Sequence, residues 1–355
     1  MRRLILHIGW PKTGSSFIQL FLYNNRAALL AAGLFYPVDE TVPRRNHNNL
    51  GFSLSHSQRL QIQYSPEHPT LPNLSSLLDR CRDCDVLVSA ETLSTLSGNQ
   101  DALAKLAAFA RAHDLKVDVV AFLRAQNTFI ESIYAERCTR VGNGQSFRPF
   151  ISSFIEDERC DYHACLCRWA AIPNFSVIAV PFTISTRKSN PALALFEAAG
   201  LCERLRNIAA QARSDIVNPR ASAMLVEISR RASSLLSDDP LNQPDFSTGK
   251  QLAGHFRTIA DARNWSRTPY CGLTNQLSDQ IRRRFARGND LLAQQHWGCS
   301  WHDIFAADYD RAFTSNDLSD ADPSSPEAIE INEALIAVAE RYALSEDRLQ
   351  TVLYS

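Results

Sequence analysis

The sequence predicts an α/β fold: a central parallel β-sheet flanked by helices, with a largely helical C-terminal part. Three observations predict it. Short, almost wholly apolar runs recur through the first 181 residues, segments of helical periodicity separate them, and the strand signal fades after about residue 210. Runs that are apolar at every position, rather than at alternate ones, need cover on both faces, which is the condition of a parallel sheet.

The elements follow in order. Residues 3–10 form a first apolar run, and a glycine-containing turn leads from it into a helix over 16–32 whose first turns carry Phe17, Ile18, Leu20, Phe21 and Leu22. Such all-round apolar character marks a buried helix. Residues 74–82 read as a helix, 85–90 as a strand, 100–113 as an Ala/Leu helix and 116–123 as a strand. Helices over 127–140 and 161–171 precede a fourth strand at 175–181, and Gly200 ends a short helix over 192–199. Beyond that, 219–236 and 276–296 have helical periodicity, while 237–248 and 315–326 are polar and turn-rich. Residues 327–344 read as a closing amphipathic helix, with Ser325 as cap and Pro326 in its first turn. The expected division is an α/β core over 1–210 and a mainly helical region over 211–355 packed on it, as a separate part or as one continuous domain.

Composition narrows the function. With 355 residues, 37 Lys+Arg against 38 Asp+Glu and a formal net charge of -1, the chain has no global field for nucleic acid or an anionic membrane. Any anion it binds must meet a local cluster of donors. Nine cysteines spread through a long chain do not form a secreted disulfide framework, and the apolar run before Gly9 and Pro11 is too short for a secretion signal. No apolar stretch approaches the ~18 residues of a membrane span. A cytoplasmic protein is the expectation.

The most informative string is HIGWPKTGSSFIQ, residues 7–19, where a strand delivers a Pro-Lys-Thr-Gly-Ser-Ser turn into a helix N-terminus. The backbone N–H groups of Gly14, Ser15, Ser16 and Phe17 are then expected to point outwards, with Lys12 adding a full charge beside the positive end of the helix dipole. Gly9 and Gly14 reproduce the glycine spacing of a Walker A loop, but Ser15 stands where that loop carries lysine, and one later strand ends in Arg124 where a magnesium site needs an acid.

This turn resembles the 5′-phosphosulfate-binding loop of sulfotransferases that use 3′-phosphoadenosine 5′-phosphosulfate, in which P-K-[ST]-G-[ST]-[ST] follows the first strand. The second half of that family's signature is an Arg at a later strand end and a Ser eight positions on. Arg124 and Ser132 stand at that spacing. GLFYP at 33–37, SAETLS at 89–94 and FARGNDLLAQQHWG at 285–298 resemble the bacterial, carbohydrate-directed branch. The Arg-Lys-Gly segment by which cytosolic eukaryotic members also grip the 3′-phosphate is not found.

The resemblance implies a phosphate-loop sulfotransferase fold, transfer of a sulfuryl group to a carbohydrate or glycolipid hydroxyl, and no metal. It implies that Lys12 stabilises the leaving oxygen, that Thr13, Gly14, Ser15 and Ser16 hold the 5′-phosphate, that Phe17 packs beside adenine, and that Arg124 and Ser132 bind the 3′-phosphate. For the general base, Glu91 at a strand end comes first, His47 in the polar loop RRNHNN second and Glu40 third. A kinase using Mg-ATP and a nucleotide-binding module without catalysis remain as alternatives. The groups Cys81/Cys84 and Cys160, His163, Cys165, Cys167 lack zinc-site spacing and read as small buried thiols. Arg282, Arg283, Arg284 and Arg287 read as a solvated helix face, and Trp265, Trp297 and Trp301 as core residues.

Overall fold

A computed structural model of the chain describes residues 2–38, 45–55, 71–79, 81–188, 190–210, 220–236, 246–265 and 268–341. Five strands, β1 (Arg2–His7), β2 (Leu34–Phe35), β3 (Asp85–Ser89), β4 (Leu115–Leu123) and β5 (Phe175–Pro181), pair in the order β2-β3-β1-β4-β5, and every pairing is parallel. The fold is therefore α/β, and β1 lies in the middle of the sheet. That position explains its composition: Leu4, Ile5 and Leu6 are all essentially inaccessible, because successive side chains face opposite layers and both are covered.

By its contacts the chain divides into two units. The first comprises Met1–Ala125, Asp157–Val217 and Arg284–Tyr309, and the second Gln126–Glu156, Asn218–Arg283 and Asp310–Ser355. The expected boundary at residue 210 is not where this division falls. In the first unit, Ile5, Leu87, Val120, Phe122 and Val180 of the sheet share a core with Ile18, Phe21 and Leu22 of α1 (Ser15–Asn24) and with Leu195 and Phe196 of the helix Pro191–Ala198. Helices Gln100–Ala112 and Tyr162–Ala170 pack on β4 and β5 respectively.

In the second unit, the helix Gln126–Thr139 packs on Ala223–Leu236, and Ile228, Leu252, Phe256, Ile331 and Leu335 form a helical core. This explains the difference from a sequential cut. A helix that directly follows a sheet strand buries its apolar side with elements about a hundred residues later, a pairing that local periodicity does not encode.

Other differences are local. The long helix expected over 16–32 stops at Asn24, and a second begins at Arg26, with Asn25 Nδ2 donating to the Phe21 carbonyl at 2.9 Å where the axis breaks. Helices Phe147–Phe154, Phe246–Ala262 and Trp301–Tyr309 were not expected. Pro326–Arg341 matches the closing helix, and Ser325 Oγ caps it by accepting from the Ala328 N–H at 3.3 Å. Cys81 and Cys84 are joined as a disulfide instead of standing as separate thiols. Among the described residues no helix is long and apolar enough to cross a membrane.

Candidate active site

The turn between β1 and α1 is built by two left-handed residues. Lys12 (φ 67) and Gly14 (φ 81) both adopt positive φ, which reverses the chain within a few residues and brings α1 straight off the strand end. Gly14 is also sterically required, since a Cβ there would lie 2.9 Å from the ring of Phe182, the residue after β5. Thr13 is fully buried, and its hydroxyl donates to the Trp10 carbonyl at 2.5 Å, so it closes the turn from inside. Trp10, 1 % exposed, anchors the other side by donating from its indole N–H to the Arg159 carbonyl at 2.9 Å.

At the start of α1 the first N–H groups have no carbonyl a turn earlier to accept them. No side chain caps them, and the first turn contains no acid. A helix N-terminus left in this state favours an anion through its N–H groups and its dipole. Ser15 is 2 % exposed with its hydroxyl unpartnered, whereas Ser16 is exposed and Phe17 packs partly against the sheet core.

Two further strands bring their ends to the same edge. Arg124 directly follows β4, is 7 % exposed, and places Nη1 3.5 Å from the Lys12 carbonyl. Glu91 follows β3 and begins the 3₁₀ helix Glu91–Gly98, half-buried, with its carbonyl accepting from Ser94 Oγ at 2.7 Å. Since β1 lies between β3 and β4, the parallel order alone gathers Lys12, Glu91 and Arg124 at the carboxyl edge of one sheet.

His47 takes a different part. It is 1 % exposed, with Nδ1 accepting from the Ser89 N–H at 3.1 Å and Nε2 donating to the Pro37 carbonyl at 2.8 Å. Its own N–H donates to the Ser89 carbonyl at 2.9 Å, and its ring meets Tyr36 edge-on. Burial lowers its pKa to about 4, against the smaller opposing effect of its backbone hydrogen bonds. A ring with both nitrogens engaged has no lone pair for an acceptor hydroxyl, so in this arrangement His47 pins the chain to the end of β3. Glu40 lies outside the described residues.

Comparison with known proteins adds one solved structure. The chain is similar to a sulfotransferase from Alicyclobacillus acidocaldarius, at 13% identity over 88% of this chain and 100% of that one, with a TM-score of 0.47. No protein-family model matches the chain, and no curated protein matches it.

Ser132 stands half-buried on the helix Gln126–Thr139 and belongs to the second unit. The expectation that it acts with Arg124 comes from the motif spacing alone. Trp301 is buried, and Trp297 donates to the Ala179 carbonyl at 2.9 Å, so both serve packing in the first unit; Trp265 does so in the second, donating to Glu330 at 2.9 Å. Arg282, Arg283, Arg284 and Arg287 are exposed.

One residue at this edge was not singled out from the sequence. His7 ends β1, is completely buried, and holds Nδ1 2.7 Å from Ser89 Oγ while Nε2 has no partner. The signal was a polar ring closing an apolar run immediately before Ile-Gly.

Proposed function

We propose that this chain is a sulfotransferase that moves a sulfuryl group from 3′-phosphoadenosine 5′-phosphosulfate to a hydroxyl of a carbohydrate or glycolipid. The observation that carries the reading is the approach of Arg124 to the backbone of Lys12, which sets a buried guanidinium beside a loop of uncapped N–H groups. The unpartnered hydroxyl of Ser15 and the unpartnered Nε2 of His7 fit an anion in that loop, because buried polar atoms ordinarily find partners.

In the reaction the bond from sulfur to the bridging phosphate oxygen breaks and a bond from sulfur to the acceptor oxygen forms. Lys12 stabilises the negative charge that grows on the bridging oxygen. Glu91 takes the proton of the acceptor hydroxyl, a role for which it stands at the ligand-binding edge of the sheet. The loop N–H groups, with Ser15 and Ser16, hold the 5′-phosphate, and Arg124 distinguishes a 3′-phosphorylated nucleotide from one without that group through the paired, charge-assisted hydrogen bonds that a guanidinium gives a phosphate. By the motif resemblance Ser132 shares the 3′-phosphate and Phe17 flanks the adenine.

The test is thermal stabilisation by adenosine 3′,5′-bisphosphate compared with Mg-ATP, followed by a labelled-donor assay across sugars, glycolipids, phenols and tyrosine peptides. A ligand that binds only the folded state raises the melting temperature. Stabilisation by the bisphosphate and a labelled sugar product are expected. Stabilisation by Mg-ATP alone would overturn the reading in favour of a kinase, and bisphosphate binding with no sulfated product would leave a binding module.

A further inference from the structure

Gly9 separates two buried polar atoms that have no partner. A Cβ built on it would lie 2.6 Å from Ser15 Oγ and 2.9 Å from His7 Nε2, so both atoms stand within hydrogen-bond reach of one point at the base of the loop. Neither makes a hydrogen bond, and the residues are 2 % and 0 % exposed. On the other side of the imidazole, Nδ1 lies 2.7 Å from Ser89 Oγ. Three side chains from the end of β1, the start of α1 and the end of β3 thus form a row: Ser89, His7, Ser15.

We infer that His7 is a positioning residue that fixes the Ser15 hydroxyl as a donor to the bound anion: when the anion binds, the gap between His7 Nε2 and Ser15 Oγ closes into a hydrogen bond and extends the existing Ser89–His7 link to Ser15. The inference rests on the loop being the anion site proposed above. The direction follows from the charge of the ligand. A hydroxyl facing an anion is favourable only if its proton points at the anion, and its oxygen is then free to accept a proton from behind.

His7 Nε2–H, across the point that Gly9 leaves open, supplies that proton once the anion is bound. A neutral imidazole carries one N–H, so a protonated Nε2 requires Nδ1 to accept, and the Ser89 hydroxyl is positioned to donate to it. Burial keeps the ring neutral at physiological pH, its pKa being lowered to about 3. The opposite direction, with Ser15 donating to His7, turns an oxygen lone pair toward the anion. Ligand binding therefore selects one tautomer, and hydrogen bonds aligned in one sense reinforce each other. Gly9 follows from the same geometry, since any side chain there would occupy the meeting point.

The experiment uses the full chain with ¹⁵N-labelled histidine, titrated with adenosine 3′,5′-bisphosphate, adenosine 3′-monophosphate and inorganic phosphate. The His7 signals are identified by their loss in His7→Phe. In the bisphosphate complex His7 is expected as the Nε2–H tautomer. His7→Phe is expected to weaken the bisphosphate roughly tenfold, as for one charge-assisted hydrogen bond, while 3′-monophosphate affinity stays within about twofold. Ser15→Ala is expected to cost a similar factor, and the double variant no more than Ser15→Ala alone.

An Nδ1–H tautomer in the complex overturns the inference, as does unchanged bisphosphate affinity in His7→Phe. Equal weakening of both nucleotides also overturns it, because that is what a purely structural histidine gives. If His7→Phe does not fold, Ser89→Ala reads the same point by abolishing the Nε2–H preference in the complex. A wild-type chain that binds inorganic phosphate with the Nε2–H tautomer but not the bisphosphate would sink the nucleotide reading and leave the role of His7 standing. Binding of neither removes both.

Discussion

The two edges of the sheet use charge in opposite ways. At the amino edge Arg3 lies 2.7 Å from Asp85 and 3.5 Å from Asp118, Arg204 adds a second contact to Asp85 at 2.8 Å, and Arg3 also donates to the Ala199 carbonyl. Each charge in this cluster has an answering one. At the carboxyl edge, Lys12 has no carboxylate within ion-pair distance among the described residues, the start of α1 is uncapped, and Ser15 and His7 keep polar atoms without partners. Ser15 at 2 % and His7 at 0 % are more deeply buried than the side chains of Arg3 at 25 % and Asp85 at 16 %, so solvent does not explain the difference. The Arg3–Asp85–Asp118–Arg204 cluster is closed by its own charges, whereas the proposed function has the carboxyl edge closed by a ligand.

The comparison breaks most visibly at Lys12. Lys12→Ala is expected to lower kcat on the order of 10²–10³-fold while bisphosphate binding persists, measured as labelled product at saturating donor. Normal turnover would place the charge-stabilising group elsewhere.

Glu91→Gln set against His47→Gln sharpens the carboxyl edge itself. Loss of the base is expected to cost about 10²-fold in kcat with little change in melting temperature, whereas His47→Gln lowers the melting temperature and spares kcat. The reverse result would make His47 the base despite its engaged nitrogens. Arg124→Ala comes next, with an expected loss of about tenfold in bisphosphate affinity and a smaller change in kcat, read by calorimetric titration.

The amino edge gives the smallest effect, in stability alone. Burial pushes the Asp85 carboxyl up, but hydrogen bonds from Arg3 and Arg204 outweigh it and hold the pKa below its ordinary value. A depressed carboxylate contributes stability in full above its unfolded value near 3.9, and this is lost as pH falls through the lower folded value. Asp85→Asn is therefore expected to cost about 1–2 kcal/mol at neutral pH and almost nothing in strong acid, with activity per folded molecule unchanged. His7 and His47 act over a higher range. Both are depressed, so the unfolded chain takes up protons first, and stability falls as pH drops from about 6.5 toward 4. A flat melting temperature across that range would mean the rings are not buried as described.

Much of this contrast was legible in the residues. The four longer strands announced themselves because each is apolar at nearly every position, and the turn 11–16 because its lysine, glycine and serines have few other uses together. The strand β2 did not, for it is two residues long and is held by backbone pairing of Leu34 and Phe35 with Asp85 and Val86. Backbone pairing leaves no side-chain pattern. His47 lay in so polar a string that burial was not expected, yet its ring is satisfied entirely by main-chain groups of Pro37 and Ser89. The meeting of Lys12 with Arg124 depends on β1 and β4 being neighbours, a fact of strand order that no local window contains.

Lys12 also carries a cost that has nothing to do with charge. A side chain at φ 67 costs roughly 1–2 kcal/mol that glycine would not incur. Lys12→Gly should thus melt higher than the natural chain while losing catalysis, and Lys12→Ala should lose catalysis without that gain. A loop shaped for folding alone would have glycine at this position. On the proposed mechanism the lysine exchanges thermal robustness for chemistry.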